Sequence, residues 1–344
     1  MTVLSQKLFE DLCAGRRRAL SRAISWVESD APQASALLEE VYAHAPQPWV
    51  IGITGVGGAG KSSLVPHLAR RLAAAGESVA VLAVDPTSPI SGGALLGDRL
   101  RDSSGQQDPN VFFRSVATRG GQGGLATCVA DLVRVAAAAG CKTVIVETVG
   151  AGQSELGILQ VAHSIVLVAA PGLGDDVQAQ KAGVMEVANV MVVNKADRPG
   201  AQDVQASLSQ ALQLSEKTAH LTEGVNEIAG DLPVWHPPVT TTIAIKDQGI
   251  DTLCTWLHAH RDFLAQTGRF EKLNQEHVLR RMQAYFNEVV QRRLRERTDQ
   301  LGLDQRLRSQ LAQDKADPLA IARQLADAVL ASPIASQQVN EFRP

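Results

Sequence analysis

The feature that most constrains this chain is the run Gly55-Val56-Gly57-Gly58-Ala59-Gly60-Lys61-Ser62-Ser63, set between the apolar segment WVIGIT and the helical segment LVPHLARRLAAAG. It fits G-x-x-x-x-G-K-[ST] in the strand–loop–helix setting that such a loop requires. Glycines let the backbone wrap closely enough for successive N–H groups to converge on a phosphate, and the following helix adds positive potential at its N-terminus. Lys61 is then expected to span β and γ phosphates, with Ser62 as a ligand of Mg²⁺. A chain built around this element needs a parallel sheet to carry it. Pro66, early in the following helix, removes one backbone donor there.

Seven short apolar runs supply the sheet: WVIGIT, SVAVLAV, VFFRS, KTVIVE, SIVLVAA, VMVV and VTTTIA, separated by longer helical stretches. Strands that are apolar throughout belong to a sheet covered on both faces, so the expected fold is a doubly wound, mainly parallel α/β sheet. We read residues 1–45 as an N-terminal helical extension, 46–267 as the phosphate-binding domain and 268–344 as a C-terminal helical arm. In the extension Leu20, Ile24 and Val27 recur at helical spacing, and Asp30 and Pro32 precede a second apolar set, Leu37, Leu38 and Val41. In the arm, Val278, Met282, Tyr285, Phe286, Val289 and Val290 form a stripe that calls for cover, and Asp317 with Pro318 reads as the cap and first turn of a last helix.

Composition excludes several classes. At 344 residues, 45% hydrophobic and with a net charge of −3, the chain is globular and lacks the basic field that nucleic-acid binding needs. No run of 18 apolar residues or signal-peptide pattern occurs, which predicts a soluble cytoplasmic protein with no membrane association. The four cysteines, Cys13, Cys128, Cys141 and Cys254, make no Cys-x-x-Cys pair and read as isolated buried thiols. His258 and His260 are two apart and cannot face one ligand from a helix.

Downstream, the strand VMVV ends in Asn194-Lys195-Ala196-Asp197. A carboxylate at Asp197 can accept from both N1–H and the 2-amino group of guanine, for which adenine has no matching pair, so the expected nucleotide is GTP or GDP. Three acids stand between the two motifs. Asp85 ends the strand SVAVLAV, Asp98 lies in GALLGDRLR and Glu147 ends KTVIVE before Thr148-Val149-Gly150. Strand-end carboxylates beside the phosphate strand sit where a doubly wound sheet places its ligand, so Ser62, Asp85, Asp98 and Glu147 are the candidate Mg²⁺ ligands. Gly150 can offer its N–H to the γ-phosphate. No Gln follows it directly, and Gln153 comes three residues later, so the expectation is slow intrinsic hydrolysis.

Taken in order, GVGGAGKSS, VDPTSPISGGALLGDR, VETVGAGQSE, GDDVQAQKAG and NKAD resemble the G-protein chaperones of adenosylcobalamin-dependent acyl-CoA mutases, the MeaB/ArgK type that serves methylmalonyl-CoA mutase. The middle three motifs are particular to that family; the first and last are shared by GTPases at large. The resemblance implies nucleotide-responsive switches around Asp85 to Asp98 and Glu147 to Glu155, and a third mobile segment at Gly174 to Gly183. There Lys181 matches a lysine that is repositioned when the mutase is bound and would accelerate hydrolysis. It also implies a homodimer through the C-terminal helices, and adenosylcobalamin held only by the partner mutase. The chain departs from the family pattern at Gln122, Ala182 and Ile243-Ala244-Ile245, where Ala244 would meet the base through its backbone N–H. Two other classes share the phosphate loop. A nickel-delivery GTPase would need His or Cys ligands, and no His-rich tract is present; a small-molecule kinase would need a base for its acceptor, and NKAD argues against ATP.

Overall fold

The structure, a computed structural model, describes residues 3–86, 108–118, 124–148, 157–158, 160–173, 185–223, 233–300, 302 and 317–331. Seven strands form one sheet: β1 Trp49–Thr54, β2 Val79–Pro86, β3 Val111–Thr118, β4 Thr143–Thr148, β5 Ser164–Ala169, β6 Val190–Asn194 and β7 Val239–Thr242. Every adjacent pair is parallel, in the order β3-β2-β4-β1-β5-β6-β7. The chain leaves β1 toward one edge and returns past it to β5, which makes β1 the switch point where such sheets hold their ligands.

Alternation along the strands assigns the two faces. Trp49, Ile51 and Ile53 of β1 pack with α4 (Lys61–Ala74) and α7 (Ile250–Gln266) through Leu64, Leu68, Leu72, Leu253 and Leu257. Val50, Val144 and Val146 point the other way, into a cluster with α5 (Gly124–Ala138) and three N-terminal helices, α1 Val3–Cys13, α2 Arg17–Glu28 and α3 Ala34–His44. A third cluster joins β6 to α6 (Ala201–Glu223) through Met191, Val193 and Leu208. Truncating one of these fully buried leucines to alanine costs about 2–5 kcal/mol.

The N-terminal helices therefore complete one face of the sheet. Leu8, Leu12, Leu20, Ile24, Leu37 and Val41 are all buried there. Arg17 donates from Nη2 to the carbonyl of Val111 at 2.8 Å, tying α2 to the start of β3. The second apolar set begins its helix at Ala34, past Pro32, because Asp30 takes a left-handed conformation with φ of 50°. The chain separates into two compact units, Met1–Arg280 and Arg281–Pro344. Helix α8, Arg269–Gln300, leaves Met282, Phe286, Val290 and Leu294 exposed. Helix α9, Pro318–Ala331, has the expected cap, Asp317 Oδ1 accepting from the N–H groups of Leu319 and Ala320 at 3.0 and 3.3 Å.

The reading of the cysteines as buried thiols needs correction. Cys141 is buried, Cys128 and Cys254 are half-buried, and Cys13 is exposed, because it ends α1 on the side away from the core; none of the four forms a disulfide. Burial pushes the Cys141 thiol up to about 11 and the Cys254 thiol up to about 12, which keeps both protonated and unreactive.

Candidate functional site

Two half-sites meet at the carboxyl ends of β1, β4 and β6. At the first, the loop after β1 is pressed between neighbours that only glycine tolerates. Gly55 has φ of 138°, and a Cβ there would lie 2.1 Å from the carbonyl oxygen of Val168 in β5. Gly60, φ 93°, opens α4, and a Cβ there would meet Asn194 Nδ2 at 2.4 Å. Gly57 and Gly58 face open space, where a ligand can approach the backbone. Lys61 is buried, its ammonium donating to the carbonyl of Gly55 and, at 3.1 Å, to that of Val56. Its positive charge is thus held inside the curve of the loop, with Gly55, Val56, Gly57, Gly58, Ala59 and Gly60 around it and Ser62 and Ser63 in the first turn of α4. Helix α4 runs unbroken through Pro66, which has no N–H to donate to the Ser62 carbonyl.

Glu147 lies beside Ile53 in the β1–β4 register and is 1% exposed. Ser62 Oγ donates to its Oε1 at 2.6 Å. A hydroxyl and a carboxylate converging at the mouth of the phosphate loop form a hard oxygen donor set, which fits Mg²⁺. Asp85 extends β2 one residue past Val84, which pairs with Thr148, so its backbone reaches the same sheet end; its side chain lies outside the described residues. Asp98, Gly150 and Lys181, with Gln122, Gln153 and Ala182, also lie outside them.

The second half-site is organised by Asn194, 2% exposed at the end of β6. Its Nδ2 donates to the carbonyl of Ala59 at 3.0 Å, while its Oδ1 accepts from Thr242 Oγ1 and from the Ala244 N–H, both at 3.1 Å. One side chain therefore joins the phosphate loop to the end of β7 and the 3₁₀ turn Ala244–Lys246. Lys195, at φ 58°, sends its ammonium back to the carbonyl of Gly58 at 2.6 Å. Asp197 carries the carboxylate expected to read the base. Lys246 stands 3.2 Å from its Oδ2, and the hydrogen bond from that ammonium holds the carboxyl below the usual range, leaving it ionised and able to accept.

The Ala244 N–H, expected to meet the base, donates here to Asn194 Oδ1, because the turn after Thr242 points that amide inward. The structure also adds residues that the motifs did not mark. Thr242 and Lys246 hold the two NKAD side chains, and Asp247, at φ 55°, is gripped by His67 and Arg71 of α4. The only local sign was the i,i+4 placement of His67 and Arg71 on one helix face.

Comparison with known proteins identifies the family of this chain. The profile of the family described as "Methylmalonyl Co-A mutase-associated GTPase MeaB" matches residues 20–299. A protein of Pyrococcus abyssi named as a GTPase is 37% identical over 333 residues, spanning 96% of this chain and 99% of its own. GTPase ArgK of Escherichia coli is 34% identical, with 80% of this chain and 82% of that protein covered. The methylmalonic aciduria type A homolog of Caenorhabditis briggsae, a mitochondrial protein, is 32% identical, with 83% and 70% covered. Among solved structures, an LAO/AO transport system kinase superposes with a TM-score of 0.65 at 25% identity, over 96% of this chain and 99% of that one. With its phosphate loop, its all-parallel sheet and relatives of this kind along nearly its whole length, the chain belongs to the MeaB family of P-loop GTPases, a family associated with methylmalonyl-CoA mutase.

Proposed function

We propose that this GTPase is the nucleotide-driven chaperone of an adenosylcobalamin-dependent acyl-CoA mutase, its GTP cycle gating the loading of intact cofactor and the removal of damaged cofactor. The observation that carries the reading is the match of residues 20–299 to a family whose description names a mutase. Adenosylcobalamin belongs to the mutase in this reading, and this chain supplies the timing.

Hydrolysis is phosphoryl transfer to water. Lys61 and the N–H groups of Gly57 to Ser63 stabilise the charge that develops on the β–γ bridge as the terminal P–O bond breaks. Ser62 and Glu147, with Asp85 and Asp98, are the residues to hold Mg²⁺, which when bound neutralises phosphate charge. Asp197 and Asn194 select and hold guanine, and Gly150 reports the γ-phosphate to the switch that follows β4. A switch of this kind works only if the partner binds its two arrangements unequally. Lys181 is the cation that the partner moves toward the transition state. Residues 268–344 form the dimer arm, and the exposed Met282, Phe286 and Val290 of α8 are the apolar surface that a second copy covers.

Single-turnover GTP hydrolysis by the full-length protein, with and without purified methylmalonyl-, isobutyryl-, ethylmalonyl- and 2-hydroxyisobutyryl-CoA mutases, tests this. One mutase should accelerate turnover and be retained in a pull-down. Lys181→Ala should leave the basal rate within about threefold and remove about tenfold to a hundredfold of the stimulation, since a cation supplied in trans is worth up to about 10³–10⁵ in related systems. If no mutase alters turnover, the chaperone reading fails. A full-length protein that light scattering finds monomeric at micromolar concentration would refute the dimer.

A further inference from the structure

Asp247 sits at φ 55°, a conformation that glycine adopts freely, Asp and Asn enter occasionally and most other side chains resist. Its carboxylate is held from both sides by α4. His67 Nδ1 lies 3.0 Å from Oδ1, and Arg71 Nη2 donates to Oδ2 at 2.6 Å, while the other guanidinium arm of Arg71 reaches Asp251. The hydrogen bond and charge of Arg71 hold the Asp247 carboxyl below the usual range. The Asp247 N–H donates to the carbonyl of Ala244 at 3.1 Å, and Ile243 and Gln248 exchange two backbone hydrogen bonds that close the turn. Gly249 locks its far side, since a Cβ there would lie 2.2 Å from the carbonyl of Thr241.

These contacts close a ring. Helix α4 grips Asp247, Asp247 holds Ala244, Ala244 donates to Asn194, and Asn194 donates to Ala59 at the loop from which α4 starts. The helix whose N-terminus faces the phosphates therefore also carries the base-side turn, from a point six to ten residues along its length. Lys246 sits on that turn, and through it so does the setting of Asp197.

We propose that Asp247, with His67 and Arg71, is a positioning residue for guanine-nucleotide retention, fixing the base-side turn to the phosphate-loop helix so that both half-sites close on the nucleotide as one body. This rests on the reading of Asp197 as the guanine-selecting carboxylate. A preassembled site loses less freedom on binding and releases its ligand more slowly.

The test is stopped-flow release of fluorescent methylanthraniloyl-GDP, with competition by GDP and IDP, on the full-length protein. Asp247→Gly keeps the backbone conformation and removes the grip. It should speed GDP release about tenfold and reduce the preference for GDP over IDP, which lacks the 2-amino group, by about threefold or more. Its melting temperature should move by less than about 3 °C, because relief at the left-handed position offsets the lost surface ion pairs. Asp247→Asn should fall between glycine and the parent chain, and adding Arg71→Gln to Asp247→Gly should speed release no further. Release rates and GDP preference equal to the parent chain in Asp247→Gly and Arg71→Gln would overturn the proposal. So would GDP and IDP binding weakened equally alongside a large fall in melting temperature. A parent chain that binds ADP as tightly as GDP would instead remove the guanine reading itself.

Discussion

The two ends of the sheet handle polar groups differently. At the carboxyl end Lys61, Glu147, Asn194 and Asp197 stand around open backbone at Gly57 and Gly58. At the amino end, three histidines are kept neutral. Val50 N–H donates to His163 Nδ1 at 3.0 Å, which leaves the proton on Nε2 to reach Asn274 Oδ1 at 2.9 Å. His260 Nδ1 meets Ser164 Oγ at 2.8 Å, and His277 packs edge-on to His163. Burial depresses all three, His163 and His260 to about 4 and His277 to about 3. Charge is thus retained where a ligand must be gripped, whereas at the amino end these histidines stay neutral and Glu77, beside the starts of β2 and β4, keeps its charge by pairing with Arg261 of α7 at 3.0 Å.

That contrast can be broken at either end. Lys61→Ala should give the largest effect, a loss of about 10²–10³ in GTP turnover, while the melting temperature without nucleotide stays within about 3 °C, because relief from burying an ammonium offsets the lost hydrogen bonds to the Gly55 and Val56 carbonyls. Asp197→Asn should lower guanosine nucleotide affinity by about a hundredfold or more and raise that for xanthosine nucleotides, measured by calorimetry with Mg²⁺. Equal ATP and GTP affinity in the parent chain would sink this prediction.

At the amino end the expected lever is pH. The unfolded chain binds protons at these histidines near pH 6.5, whereas the folded chain resists until about 4, so stability is fully present above 6.5 and drains as pH falls toward 4. Thermal unfolding between pH 7.5 and 4.5 should show a steady fall over that window, and a flat curve would refute it. The smallest effect distinguishes two members of the cluster. His277 Nε2 is buried with no hydrogen-bond partner among the described residues, so His277→Phe should change stability by less than about 1 kcal/mol and blunt the acid sensitivity. His163→Phe, which strands the Val50 N–H, should cost about 1–3 kcal/mol.

What the sequence made legible follows from distance along the chain. The phosphate loop and NKAD are local patterns whose geometry is set by adjacent residues, and all seven strands read directly as apolar runs. Their order did not: the placement of β4 between β1 and β2 depends on crossover helices packing on faces that only the assembled sheet defines. The grip on Asp247 was hidden for the same reason, since Arg71 and Asp247 are 176 residues apart and neither belongs to a motif. The stripe on α8 was visible as a face needing cover, yet its pattern does not specify what provides the cover.

The apolar faces of α1, α2 and α3 bear on how the protein is made. They are synthesised before β3 and α5, against which they pack, and the residue that Arg17 anchors lies 94 positions downstream. At roughly 5–20 residues per second, translation needs roughly 5–20 s to deliver that strand. For that interval the nascent chain carries Leu12, Leu20, Ile24 and Leu37 with no sheet to bury them. Slow codons between these helices and β3 should therefore favour aggregation over yield.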